Sequence, residues 1–178
     1  MTSLESKKIA VIIAYKNFRD EEYDVPHKLL EELGADVRTF SDELGTAYGI
    51  DGMEVAVDSK LNDLDVNEFD AIVFIGGPGA LEHLDNSESY QIVKNAIKQN
   101  KVLAAICVAP VILAKAGILQ GKKATVWTSI TNKYAQRTLE QNGAIYQDAD
   151  VVQDGNIITA NGPAAAEKFT NKIVDFLK

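Results

Sequence analysis

The chain carries one cysteine, and its setting makes it the first candidate for chemistry. Cys107 ends the apolar run Val102-Leu103-Ala104-Ala105-Ile106 and is followed by Val108-Ala109-Pro110 and a helical segment. A side chain displayed on a sharp strand-to-helix turn needs small neighbours, here Ala105 and Ala109, so that the backbone can bend. The open amides at the start of that helix, with its dipole, favour a thiolate over a thiol. The pattern fits a nucleophile, and it fits equally a cysteine packed as a small hydrophobe at the end of a buried strand.

The surrounding pattern is that of an α/β protein. Short apolar runs alternate with longer stretches of helical periodicity, as in a mostly parallel sheet with helices on both faces. Strands are expected at Ile9 to Ala14, Asp36 to Phe40, Ala71 to Ile75 and the run ending at Cys107. Helices are expected over Glu22 to Leu33, Ser87 to Gln99, a stretch ending at Gly117, Asn132 to Gln141 and Ala164 to Leu177. Glycines 45, 49 and 52 punctuate Leu44 to Asp58 and suggest a small inserted hairpin; a second hairpin should turn at Asp154-Gly155, and a short strand should lie around Ala124 to Trp127. With no repeat or linker, residues 1–178 read as one three-layer sandwich.

Composition narrows the partners. With 18 Lys+Arg against 26 Asp+Glu, the net charge of −8 lacks the basic footprint that nucleic acid or an anionic membrane requires, so small molecules or proteins are the expected partners. One cysteine makes no internal disulfide, Met1 to Lys8 is too polar for a signal peptide, and no apolar stretch spans a bilayer. A cytoplasmic protein is expected. Two histidines and one cysteine make no recognisable metal site, and no cofactor is expected.

In open α/β sheets ligands bind beyond the carboxyl ends of the strands. That places Tyr15 to Glu22, Gly76-Gly77-Pro78-Gly79, Cys107 and Asn161-Gly162-Pro163 along one edge, with Tyr15 and Asn17 as accessory candidates. The glycine turn lacks the Lys-Ser/Thr ending of a phosphate loop and the spacing of a dinucleotide fingerprint. The amides of Gly77 and Val108 could together hold a developing oxyanion; the same glycines also fit a plain tight turn.

Four segments, Phe18-Arg19-Asp20-Glu21-Glu22 with Pro26, Gly76-Gly77-Pro78-Gly79, Ala105-Ile106-Cys107-Val108-Ala109-Pro110 and Asn161-Gly162-Pro163, resemble the ThiJ/PfpI superfamily in order and position over about residues 8–177. The resemblance implies a flavodoxin-like sandwich related to class I glutamine amidotransferase domains. It also implies that Cys107 is the elbow nucleophile, that Glu22 is the carboxyl touching it, and that the protein is a homodimer. Physically, a buried carboxyl that keeps its proton can donate a hydrogen bond to a thiolate, so that the pair holds one negative charge. Glu21 is the neighbouring competitor, and both glutamates also fit solvated first-turn positions of a helix.

The chain departs from the superfamily pattern in its histidines. Many members carry His directly after the cysteine, where this chain has Val108, and others carry one near the strand that here holds Trp127. Trp127 fits either the pocket rim or the core. His27 reads as a surface or packing residue, and His83 as part of a loop able to fold over the crevice. Without an imidazole, peptide cleavage lacks a general acid for its poor leaving group. Aldehyde chemistry asks for less: a Cys107 thiolate adding to a 2-oxoaldehyde, with Glu22 moving a proton, resembles the glyoxalase and deglycase reactions attributed to parts of the superfamily. The expected substrate is a small reactive carbonyl or a modified protein. The alternatives are a redox sensor or stress chaperone acting through oxidation of Cys107 and, behind it, a cysteine peptidase. The amidotransferase reading is weak, because its further His and Glu have no counterpart here.

Overall fold

The computed structural model describes residues 3–178. In chain order, β1 (Lys8–Ile12), a short β2 (Lys16–Phe18) and helix α1 (Asp20–Glu32) lead to β3 (Asp36–Ser41), the hairpin β4 (Gly45–Gly49) and β5 (Glu54–Val57), and the two-residue β6 (Ser59–Lys60). Then come β7 (Ala71–Phe74), α2 (Pro78–His83), α3 (Ser87–Lys98), β8 (Val102–Ile106) and α4 (Pro110–Lys115). The chain closes with β9 (Lys123–Ala124), α5 (Tyr134–Gln141), β10 (Ile145–Tyr146), β11 (Val151–Asp154), β12 (Ile157–Ala160) and α6 (Ala166–Leu177).

Seven strands form the central sheet in the order β11-β12-β8-β7-β1-β3-β6. All pair in parallel except β11, which returns antiparallel along β12. The inner strands are apolar on both faces because both faces are covered. Ile9, Val11, Val73 and Ala104 pack with Leu30 of α1 and Phe169 and Ile173 of α6. Ala10, Ile12, Ile72 and Leu103 pack on the other side with Val93 of α3, Ile112 of α4 and Leu139 of α5. The expected three-layer α/β sandwich is what the chain forms.

Register brings the strand ends to one edge. Ile12 pairs with Phe74, Phe74 with Ala105, and Ala160 with Ile106, so the loops after β1, β7, β8 and β12 all start at the same level.

Three local expectations change. The segment after Gly77 is helix rather than loop: Pro78 opens α2, where its fixed φ suits the first helical position, and His83 is the last residue of that helix. The strand expected around Ala124 to Trp127 shrinks to β9, paired with β10, because the Thr125 amide donates to Thr159 Oγ1 at 2.9 Å and the Trp127 amide to the Cys107 carbonyl at 2.8 Å. The hairpin within 44–58 is present, but it joins β2 in a separate three-stranded sheet, and β2 and β6 are too short to show a sequence period.

Phe169 is fully buried between α6 and the sheet. Phe169→Ala should cost about 3–5 kcal/mol, read as a lower denaturant midpoint with the unfolding slope unchanged.

Candidate active site

Cys107 has a backbone φ of 64°, a left-handed conformation that disfavours any side chain with a Cβ and costs roughly 1–2 kcal/mol. The surrounding backbone holds it there. Its amide donates to the Ala160 carbonyl of β12 at 2.9 Å, its carbonyl accepts from Trp127, and the Ala109 amide closes a tight turn onto Ile106 at 3.1 Å. The result is a cysteine on an elbow between β8 and α4, buried to 6% exposure. The backbone forms the elbow that the nucleophile reading expects, while the side chain packs among apolar neighbours as the other reading expects.

Glu22 lies on the first turn of α1 and is fully buried, whereas Glu21 beside it is exposed. Its Oε2 accepts the Gly76 amide at 2.9 Å across 54 residues of sequence. The carboxyl lies beside the Cys107 thiol, and Oε1 has no hydrogen-bond partner among the described residues. The glycine turn makes this approach sterically feasible. A Cβ on Gly76 would sit 2.6 Å from the Cys107 Cβ and 2.8 Å from Glu22 Oε2. Gly77, at φ 106°, would place one 2.4 Å from the Arg19 amide nitrogen. From this turn and from the elbow itself, the Gly77 and Val108 amides lie near enough to the sulfur to favour its anion.

Burial pushes the Glu22 carboxyl up to about 7, against the pull of the Cys107 hydrogen bond, the Gly76 amide and the Arg19 charge. Burial, reinforced by the negative charge of Glu22, pushes the Cys107 thiol up to about 12, against the Gly77 and Val108 amides. This corrects the expectation of a thiolate favoured by a helix start. Helix α4 is six residues long and begins three residues beyond Cys107, so two amides alone oppose desolvation and a neighbouring carboxylate. The pair therefore titrates as a unit: one proton leaves near 7, and the second is retained because two charges cannot share the space.

The sulfur opens onto a cavity of about 290 Å³ lined by Arg19, Gly77, Pro78, Cys107, Val108, Trp127 and Asn132. Cys107, Glu22, Gly77, Val108 and Trp127 are thus brought together, with Glu22 behind the sulfur. The accessory candidates His83, Tyr15 and Asn17 are not in the lining. His83 Nδ1 is held by Asp42 Oδ2 at 2.8 Å, and Asp42 Oδ1 takes the Tyr15 amide at 2.8 Å, so these residues brace one another. Asn17 is exposed with φ 60°. His27 stacks on Tyr23 along α1, with ring centroids 4.9 Å apart. Two lining residues escaped the sequence analysis. Arg19 stood inside a quoted motif, but its neighbours Glu21 and Glu22 drew the chemistry; Asn132 lies between elements with no local signal. Among the described residues, no group of three or more His, Cys, Asp or Glu side chains is gathered to ligate a metal, and no helix is long and apolar enough to cross a membrane.

A thiol, a carboxyl that exchanges its proton near neutrality and two convergent amides can together add sulfur to a polarised carbon and relay a proton. The arrangement has a stability cost. Glu22 ionises near 4.5 when unfolded but only near 7 when folded, so stability falls as pH rises through that window, by about 3 kcal/mol once both states are ionised. Glu22→Gln removes this penalty: its thermal midpoint relative to the parent should rise steadily between pH 5 and pH 8. A difference that is flat with pH would contradict the raised carboxyl.

Known proteins resemble this chain over nearly its whole length. The model of the DJ-1/PfpI family matches residues 7–176. An uncharacterized protein of Methanocaldococcus jannaschii, MJ0967, is 40% identical over 94% of this chain and 80% of its own. The deglycase PH1704 of Pyrococcus horikoshii is 32% identical over 94% of this chain and 98% of its own. Among solved structures, a ThiJ/PfpI domain protein from Brachyspira murdochii superposes with a TM-score of 0.88 at 31% identity, covering 96% of this chain and 95% of its own. The protein whose single cysteine stands on this elbow belongs to the DJ-1/PfpI family.

Proposed function

We propose that the chain is a cysteine-dependent enzyme acting on reactive carbonyls, with a 2-oxoaldehyde such as methylglyoxal as the simplest substrate. The observation that carries this reading is the buried Glu22–Cys107 pair, one proton short of full protonation at neutral pH, facing a small cavity with no imidazole in its lining among the described residues. Sulfur adds to the aldehyde carbon, and the aldehyde oxygen, steadied by the Gly77 and Val108 amides, takes the proton held by Glu22. The Glu22 carboxylate then removes the C–H proton of that carbon, giving an enediolate, and returns it to the adjacent carbonyl carbon, while the hydroxyl proton passes from the first oxygen to the second. This leaves a 2-hydroxyacyl thioester, which water cleaves to a hydroxyacid and free Cys107. The sum is aldehyde plus water to hydroxyacid, with no external oxidant or reductant.

Peptide cleavage fits less well, because no histidine lines the cavity among the described residues and Glu22, behind the sulfur, is not itself part of the lining where an amine would leave. The deglycase name of the Pyrococcus relative supports carbonyl chemistry for this chain. So does its place in the family.

Incubation with methylglyoxal should yield lactate, with turnover abolished by Cys107→Ser and lowered about 10²-fold or more by Glu22→Gln. A parent protein whose thiol alkylates but which turns over no 2-oxoaldehyde would overturn the assignment. The rate of iodoacetamide alkylation should rise through a step near pH 7, as the pair loses its first proton. In Glu22→Leu the step should move above the free-thiol value of about 8.5, because burial remains and the proton acceptor is gone.

A further inference from the structure

The carbonyl reading leaves one conspicuous lining residue without a task. Arg19 is the only charged side chain in the cavity lining among the described residues, in a chain whose net charge is −8. It occupies the N-cap position of α1, three residues before Glu22, and its backbone is fixed against the glycine turn: the Arg19 amide donates to the Gly76 carbonyl at 3.0 Å. Since Gly76 packs directly against Cys107 and Gly77 lines the same cavity, the same turn sets where Arg19 stands relative to the nucleophile.

The guanidinium is under-used. Its Nε is buried with no hydrogen-bond partner among the described residues. Its Nη1 reaches Asp51 Oδ2 at 3.6 Å, beyond ordinary hydrogen-bond length, and the Asp51 side chain is 67% exposed. An ion pair that long and that wet contributes little. An arginine with an unsatisfied buried N–H and a loose competitor on its outer side is a ready partner for a carboxylate, whose two oxygens match the guanidinium fork. The remaining lining is apolar or neutral: Pro78, Val108 and Trp127 form walls, and Asn132 offers an amide.

We propose that Arg19 is a specificity-determining residue that selects electrophiles carrying a carboxylate close to the reacting carbon. Resting on the carbonyl reading, this names the substrate class as 2-oxoaldehydes bearing a carboxylate, preferred over neutral ones. Arg19 binds the non-reacting anionic end, Cys107 takes the aldehyde carbon, and Asp51 is the occupant that the substrate displaces.

The test uses two alkylating reagents that differ in charge and little in size: iodoacetate and iodoacetamide. In each reaction sulfur bonds to the CH2 carbon and iodide leaves, and every signal comes from Cys107, the chain's one cysteine. The quantity read is the ratio of the iodoacetate to the iodoacetamide rate, divided by the same ratio for a small free thiol. This cancels the fraction of thiolate; the ratio is compared between variants on the Glu22→Gln background as well, where no charge on residue 22 can move it. The parent should favour iodoacetate about tenfold, the strength of one charge-assisted contact. Arg19→Gln should bring the ratio to the free-thiol value, Arg19→Lys should keep part of the preference, and Asp51→Asn should raise it above the parent. Added salt should lower it. A parent ratio no higher than that of the free thiol, or a ratio unchanged in Arg19→Gln, would overturn the assignment. A retained ratio in a protein that turns over no aldehyde would remove the carbonyl reading and leave the role of Arg19 standing.

Discussion

Two acidic groups share a buried space that tolerates one negative charge. The Glu22 carboxyl and the Cys107 thiol are each pushed up by desolvation; the hydrogen bond from Cys107 draws Glu22 part of the way back, while the Glu22 charge pushes Cys107 further up, so the pair keeps a proton over the whole physiological range. Much of the local architecture serves to hold them in contact. Helix α1 delivers Glu22 from one layer, β8 delivers Cys107 from the sheet, and the Gly76-Gly77 turn after β7 passes between them with no side chain to intervene. A proton held jointly in this way can be given to one atom and taken from another without water, which is what proton transfer along a carbon skeleton needs.

Such a site draws on stability. A left-handed cysteine and a buried carboxyl together cost a few kcal/mol, a sizeable part of the roughly 5–15 kcal/mol by which domains are stable. The sheet supplies the offset. Four parallel strands buried on both faces, sealed by Phe169 and Ile173 on one side and by Ile112 and Leu139 on the other, make a rigid support whose strand ends are level. The elbow is then tied to two neighbouring segments, at Ala160 and at Trp127, so relaxing Cys107 out of its strained conformation would break both hydrogen bonds.

Charge and shape divide the remaining work. Where many superfamily members place an imidazole next to the cysteine, this chain places Val108 and backs the cavity with Trp127, which leaves an apolar wall and Glu22 as the proton carrier. Arg19 is the one charged side chain in the lining among the described residues, in a chain of net charge −8. His83, the histidine with the better claim on the site from sequence, is instead held by Asp42 at the far end of α2, so it braces the loop after β1 rather than meeting a substrate.

The sequence by itself determined the α/β layering, because strands buried on both faces must be continuous apolar runs and amphipathic helices must alternate with them, and Ile9, Ala71 and Val102 begin such runs. It also marked the elbow and the glycine turn at the strand ends, since Cys107 between small residues and Gly76-Gly77 after β7 are local signals of backbone geometry. Tertiary structure decided what no local pattern could carry. Whether Glu21 or Glu22 turns inward depends on how α1 rolls against the sheet. Whether a thiol is raised or lowered depends on the sum of burial, two amides and a carboxylate brought from 85 residues away in the chain. The demotion of His83 and the promotion of Arg19 have the same origin: both side chains follow strand ends at the same edge, and only the packing of α2 against β2 and of α1 against the glycine turn decides which one faces the sulfur. Ionisation and specificity are through-space properties, so they appear only once the chain has folded.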